Sequence, residues 1–196
     1  PLSVTAIVPN YNYKRYLGGR LQSIIRQTYP IKEIIFLDDC SSDGSIEYTR
    51  GFLEDCLIPW RILANNTNSG CVSHQWKKGV DLMDGDYAWI AEADDYAEPA
   101  LLEELVSLCI DNMQFNPTIS AGESWMVDEH GNVGASYLPY HLGINEIYGS
   151  IFKETFVLGG QDFVFNALGV TNTLPNASAC ILKLESLKRV PWEEAI

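Results

Sequence analysis

The sequence has no run of apolar residues approaching the roughly 20 that a membrane-spanning helix needs. It shows no secretory leader: it opens on Pro1-Leu2-Ser3 and passes straight into an apolar strand. With no initiator Met, and an ending at Glu193-Glu194-Ala195-Ile196, it reads as a piece of a longer polypeptide. Basic residues are scarce, 13 Lys and Arg against 26 Asp and Glu, for a net charge of −13. That balance argues against nucleic-acid binding by phosphate neutralisation and against docking on an anionic membrane. Three phosphate or nucleophile signatures are missing: G-x-G-x-x-G after the first strand, G-x-x-x-x-G-K-[ST], and the G-x-S-x-G elbow. Classical dinucleotide folds, P-loop enzymes and α/β-hydrolases are thereby disfavoured. The five cysteines, Cys40, Cys56, Cys71, Cys109 and Cys180, are odd in number and fit neither a disulfide framework nor a zinc site. Reduced thiols in a cytoplasmic protein are expected, with any contact to the inner face of a membrane made by parts outside this sequence. Internal repeats and low-complexity segments are absent.

What is present is alternation. Residues 3–8 are β-branched and apolar, a buried strand that Pro9 is expected to break. Leu17, Leu21, Ile24 and Ile25 then recur at helical spacing over residues 14–27. A second strand over residues 33–37 ends in Asp38-Asp39, and Cys40-Ser41-Ser42-Asp43-Gly44 supplies turn chemistry before a helix over residues 45–55. A short strand over residues 60–63, a polar loop over residues 65–70 and a helix over residues 71–83 follow. The run Tyr87-Ala88-Trp89-Ile90-Ala91 is a fourth strand, and Pro99 is expected at the first position of a fourth helix. Four strand–helix alternations predict an α/β fold: a mostly parallel central sheet with helices on both faces. Ligands of such sheets bind beyond the carboxyl ends of the strands. After Asn116-Pro117 the pattern loosens. A strand over residues 119–127, a turn at Asp128-Glu129-His130-Gly131-Asn132 with Val133 pairing back, a loop over residues 137–149, a helix over residues 161–168 and a last strand over residues 179–184 are expected.

Three strand ends carry polar residues: Pro9 to Tyr13, Asp38-Asp39, and Glu92-Ala93-Asp94-Asp95. Acidic residues after a strand often only make turns and cap helices. Here Glu92 and Asp94 alternate, so on an extended chain both point to one side. No Lys or Arg lies between Lys78 and the end of this stretch, so no local cation relieves the mutual repulsion. Carboxylate oxygens suit Mg²⁺ or Mn²⁺, ions that arrive with a substrate's phosphates. Asp38-Asp39 reads either as turn chemistry or as an acceptor left for a nucleobase N–H. Tyr11 reads as packing or as a face for a base to stack on. Lys77 and Lys78 read as a solvated helix face or as a contact to a diphosphate. His74, His130 and His141 lack ligand spacing and receive no role.

In order and spacing, these pieces resemble the family 2 glycosyltransferases. The residues that carry the resemblance are Val8-Pro9-Asn10-Tyr11-Asn12, Leu21-Gln22-Ser23-Ile24-Ile25-Arg26-Gln27-Thr28-Tyr29, residues 33–43, Asn68-Ser69-Gly70, Gln75-Trp76-Lys77-Lys78-Gly79, Gly85-Asp86-Tyr87 and Glu92-Ala93-Asp94-Asp95. It covers residues 2–115, and more weakly residues 172–187. The resemblance implies a GT-A fold, Rossmann-like, with a donor-binding half at residues 1–115 and the irregular start of an acceptor part at residues 116–196, in one structural domain. It implies transfer, with inversion, from a nucleotide-diphosphate sugar, expected to be UDP-linked, to a hydroxyl of a glycan or lipid-linked acceptor. By position, Tyr11 would stack on the base, Asp39 or Asp38 would bond to it, Pro9 would give backbone contacts and Lys78 would reach nucleotide or diphosphate. Asp94 would ligate Mn²⁺ or Mg²⁺, with Glu92 or Asp95 beside it. Glu92 stands where the family's metal motif has Asp. The catalytic base is expected beyond Ile196; Glu193-Glu194 reads as helix-start residues. The alternatives are a noncatalytic nucleotide-sugar module or degenerate transferase, and a sugar nucleotidyltransferase. The latter needs a basic Gly-rich loop that residues 9–13 lack.

Overall fold

A computed structural model describes residues 1–128, 130–137, 152–169, 172–174 and 176–192. Two compact units emerge, one made of residues 1–120 with 180–196 and the other of residues 121–179. The first unit is built on β1 (Val4–Asn10), α1 (Lys14–Ile25), β2 (Ile31–Asp38), α2 (Ser45–Leu53), β3 (Trp60–Ala64), α3 (Val72–Leu82), β4 (Tyr87–Ile90) and α4 (Leu101–Asp111). β5 (Ile119–Ala121) and β8 (Cys180–Lys183) complete its six-stranded sheet, in the order β3-β2-β1-β4-β8-β5. The β1–β2, β1–β4 and β2–β3 pairs are parallel, and β8 runs antiparallel to β4.

All seven residues of β1 are buried, as expected of a central strand covered on both faces. Alternate residues Val4, Ala6 and Val8 join Ile34, Phe36 and Trp89 in one core with Leu17, Leu21 and Ile24 of α1, Leu53 of α2 and Leu102, Leu105 and Val106 of α4. The opposite face takes α3, at close range. A Cβ on Gly79 would stand 2.4 Å from Cγ2 of Ile7, so any larger residue there forces the helix or Ile7 to shift.

Pro9 does not end the first strand. β1 continues to Asn10, pairing Pro9 with Leu37 and Asn10 with Asp38. The reason is the stagger of the sheet. Asp39 N–H donates to the Asn10 carbonyl at 2.8 Å, and Ala91 N–H donates to the Ile7 carbonyl at 2.8 Å. Backbone groups alternate sides along a strand, so Pro9, like Ile7, faces β4. The β1–β4 pairing has stopped at Ile7 with Ile90, and the missing N–H leaves no ladder bond unmade.

The fourth helix starts at Leu101, later than the Pro99 start expected. Gln27, just past α1, explains this. Its Nε2 donates to the Glu98 carbonyl at 2.8 Å, and its Oε1 accepts the Leu102 N–H at 3.0 Å. Thr28 N–H donates to the Pro99 carbonyl at 2.9 Å. The segment before α4 is thus held as a loop, and the helix is capped by a side chain from elsewhere rather than by its own.

The strand expected over residues 119–127 divides into β5 and β6 (Trp125–Val127), which join different sheets. In the second unit β6 pairs antiparallel with β7 (Val133–Ser136) around the expected turn, where Asp128 accepts the N–H groups of His130 and Asn132 at 2.9 Å each. The helix expected over residues 161–168 is one short α-turn, Gly160–Phe163, running into a π-turn, Val164–Leu168. Apart from Tyr137, the loop over residues 137–149 lies outside the described residues. No helix among the described residues is long and apolar enough to cross a membrane.

Two substitutions check this packing. Gly79→Ala is expected to destabilise the chain by about 2 kcal/mol, the typical cost of overpacking a filled core, read as a lower urea midpoint with unchanged m-value. Gln27→Leu removes the cap and the link to the Glu98 carbonyl, and is expected to cost about 1–2 kcal/mol by the same measurement.

Candidate functional site

The stagger of the parallel strands opens a crevice. β1 and β2 end level, at Asn10 and Asp38, whereas β4 ends opposite Ile7. Adjacent strands lie about 4.8 Å apart, so the ends of β2 and β4 flank that of β1 with about 10 Å between them. Pro9 directs its carbonyl toward the β4 side. Tyr11, the first residue beyond β1, keeps its ring 45% exposed, an uncommon display for an aromatic next to a core strand.

On the β2 side the two carboxylates are buried and engaged. Asp38 Oδ2 accepts from Asn10 Nδ2 at 2.8 Å, and its Oδ1 from the Ser41 N–H at 2.8 Å. Asp39 Oδ1 accepts from Asn65 Nδ2 at 2.6 Å, Ser69 N–H at 2.9 Å and Gln75 Nε2 at 2.9 Å. Among the described residues its Oδ2 is met by Ser69 alone, through Oγ at 2.7 Å and N–H at 3.1 Å. Both carboxylates therefore have partners within the chain. A buried carboxylate needs donors, and β1, the loops after β2 and β3, and α3 provide them. Lys78, half-buried on α3, donates to Asn65 Oδ1 at 2.6 Å and so joins the Asp39 network. Lys77 pairs with Asp81 one turn along the same helix and stays on the solvated face.

On the β4 side the extended chain ends at Ile90 and a turn follows, with the Asp95 N–H on the Glu92 carbonyl at 3.2 Å. The alternation expected to aim Glu92 and Asp94 the same way does not operate in a turn. Glu92 is half-buried and accepts from Trp76 Nε1 of α3 at 3.1 Å, whereas Asp94 is exposed. Burial raises the Glu92 carboxyl above its ordinary range, the negative charges of Asp95 and Asp94 raise it further, and Trp76 and Arg20 oppose them. A cation does act on these acids, though not a local one: Arg20. It comes from α1, far away in sequence, and lies fully buried with its guanidinium carbon 4.9 Å from the ring centroid of Trp89. Burial lowers its pKa to about 10, against the opposing pull of Asp95, Glu92 and Asp94.

No three His, Cys, Asp or Glu side chains form a closed metal cage among the described residues. The donor set still fits a hard divalent cation. Mg²⁺ in particular is commonly held by one or two carboxylates plus substrate phosphates, with waters completing the shell. Exposed Asp94 and partly exposed Asp95 can serve in that way, with Glu92 turned toward Trp76. Glu193-Glu194 lies outside the described residues.

Asn10, Asn65, Ser69, Gln75, Trp76 and Arg20 complete the site without having been assigned a role from sequence. Arg20 alone left a signal: it falls three residues after Leu17 and four before Ile24, on the apolar face of α1.

The profile of Glycosyl transferase family 2 matches residues 5–132. Glycosyltransferase GlyA of Streptococcus pneumoniae is 32% identical over 154 residues, covering 79% of this chain and 21% of that protein. Among solved structures, S. aureus TarS 1–349 in complex with UDP aligns with a TM-score of 0.65 at 19% identity, covering 95% of this chain and 48% of that one. The mannosyltransferase PcManGT from Pyrobaculum calidifontis, in complex with GDP-Man and Mn2+, aligns with a TM-score of 0.53 at 24% identity, over 65% of this chain and 36% of that one. The chain therefore spans less than half the length of each, and the two structural likenesses establish the GT-A fold. Since the profile covers more than half of its 196 residues, the chain belongs to glycosyl transferase family 2.

Proposed function

We propose that this chain is the donor-binding part of an inverting, metal-dependent glycosyltransferase that takes a sugar from a UDP-linked donor to a hydroxyl of a glycan or lipid-linked acceptor. The observation that carries it is the crevice between staggered strand ends, with an exposed aromatic and a carboxylate network on one side and an acidic turn on the other. UDP is favoured because TarS was solved with UDP and with UDP-GlcNAc. A divalent ion is favoured because PcManGT was solved with GDP-Man and Mn2+.

In this assignment the base stacks on Tyr11, which is already exposed for it. A base N–H reaches Asp39 Oδ2, which among the described residues accepts from Ser69 alone, while Asp38 stays structural through Asn10 and Ser41. Pro9 presents its carbonyl between base and diphosphate. Lys78, anchored on Asn65, would touch the nucleotide. Asp94, with Asp95 or Glu92 near, would hold the Mn²⁺ or Mg²⁺. When bound, that ion supplies neutralising charge as the nucleoside diphosphate departs.

Titration calorimetry with UDP tests this, with Mn²⁺ and with a chelator. UDP is expected to bind more tightly with Mn²⁺, and Asp94→Ala to erase that difference while shifting stability by no more than about 0.5 kcal/mol, as for an exposed site. Equal binding with and without metal, in a chain that Asp94→Ala leaves unchanged, would sink the assignment. Asp39→Ala behaves differently. It strands buried donors of Asn65, Ser69 and Gln75, and is expected to cost about 2–4 kcal/mol of stability together with UDP affinity.

A further inference from the structure

Arg20 is the feature that donor binding leaves unused. It occupies the core-facing side of α1 between Leu17 and Ile24 and is fully shielded from solvent. None of its three guanidinium nitrogens has a hydrogen-bond partner among the described residues. An isolated buried cation is costly, and an apolar side chain of similar length would pack the same space more cheaply. Packing therefore does not account for the charge. What faces it does. The guanidinium lies over the ring of Trp89, three residues before Glu92. Ala91, Ala93 and Ala97, which bracket the acids, are buried in the same core cluster as Leu17 and Leu21. Asp95, Glu92 and Asp94 are the charges it feels most.

Resting on the donor-site assignment above, we propose that Arg20 is a positioning residue that sets the charge of the acidic turn from beneath. Three carboxylates and one caged guanidinium leave a net charge of −2, which one divalent cation neutralises. The loaded turn is then neutral toward the diphosphate. Without Arg20 the empty turn would carry −3, and the loaded turn −1. The sign of each change follows from Coulomb's law: the bare metal gains attraction, and the anionic nucleotide meets a negative site. Arg20 touches neither ligand, since it has no exposed surface. It acts through the turn.

The test uses Arg20→Met, which keeps length and removes charge, and Arg20→Lys, which keeps charge. Mn²⁺ alone, then UDP at saturating Mn²⁺, are titrated into each chain at mildly alkaline pH, and thermal unfolding is recorded. Arg20→Met is expected to bind bare Mn²⁺ roughly tenfold more tightly and UDP at saturating Mn²⁺ roughly tenfold more weakly. Its melting temperature should be at or above that of the parent, because a buried charge without hydrogen bonds has been removed. Arg20→Lys should return both constants toward the parent. Opposite movement of two affinities is not what a loosened fold produces, since misfolding weakens both. The proposal is overturned if the two constants move together, if neither moves, or if Arg20→Lys behaves like Arg20→Met. Should Arg20→Met not fold, Arg20→Lys decides alone: parent-like constants support the charge role, and parallel weakening of both removes it. Failure of the donor-site assignment is seen separately, as a parent chain whose UDP binding ignores Mn²⁺.

Discussion

The site depends on one constraint of register: β4 stops pairing with β1 at Ile7, while β2 follows β1 to Asn10. Had β4 run level, its ladder would fill the space beyond Ile90 and Pro9 could not be accommodated in a central strand. Because it stops short, the chain leaves the sheet early and must turn beside the end of β1. No ladder bond can hold that turn. It is held by side chains instead: Trp76 of α3 on Glu92, and Gln27 through the backbone just downstream.

The two walls of the crevice are consequently built by different physics. The β2 wall is cross-linked by short hydrogen bonds, with Asp39 gathering Asn65, Ser69 and Gln75, and Lys78 buttressing Asn65. Such a network is stiff, and suits recognition of a flat base, where preorganisation limits the entropy lost on binding. The β4 wall acts through charge, three carboxylates against one guanidinium. Fields act over distance and tolerate small shifts, which suits a partner whose coordination shell is completed by substrate oxygens.

The strands and helices of the first 115 residues could be read from apolar periodicity because each buries a continuous face, and periodicity reports burial. The strand ends could be located for the same reason, and with them Tyr11, Asp38, Asp39 and the acids at 92–95. What could not be read was who partners whom. Asn10 and Asp38 are 28 residues apart, Asp39 and Gln75 36, and Gln27 and Glu98 71. A local count of charges around Asp94 missed Arg20, since charge compensation depends on proximity in space. The same gap explains the helix that starts after Pro99: its cap comes from Gln27, and no local capping rule could supply it. Past residue 116, short strands with exposed faces give periodicity little to report, so the expected 119–127 strand hid a break between sheets.

The loops that carry Tyr11 add a last step. Asn12 and Cys40, at the ends of β1 and β2, both adopt left-handed backbone, with φ of 57° and 68°. Asn tolerates this well; Cys does so at a cost of about 1 kcal/mol or more. The two loops are laced together: Asn12 N–H donates to Ser41 Oγ at 2.9 Å, Asn12 Oδ1 accepts the Ser42 N–H at 2.9 Å, and Lys14 N–H donates to Asp43 Oδ2 at 2.9 Å. These bonds fix the backbone after Tyr11, as the Asp39 N–H on the Asn10 carbonyl fixes it before, and together they let the strained angles persist. Strain at the strand ends and a buried guanidinium without hydrogen bonds beneath the acidic turn therefore have a common meaning. Each is a local loss of stability beside the strand ends where a ligand would be met, and each is offset by the fully buried strand behind it.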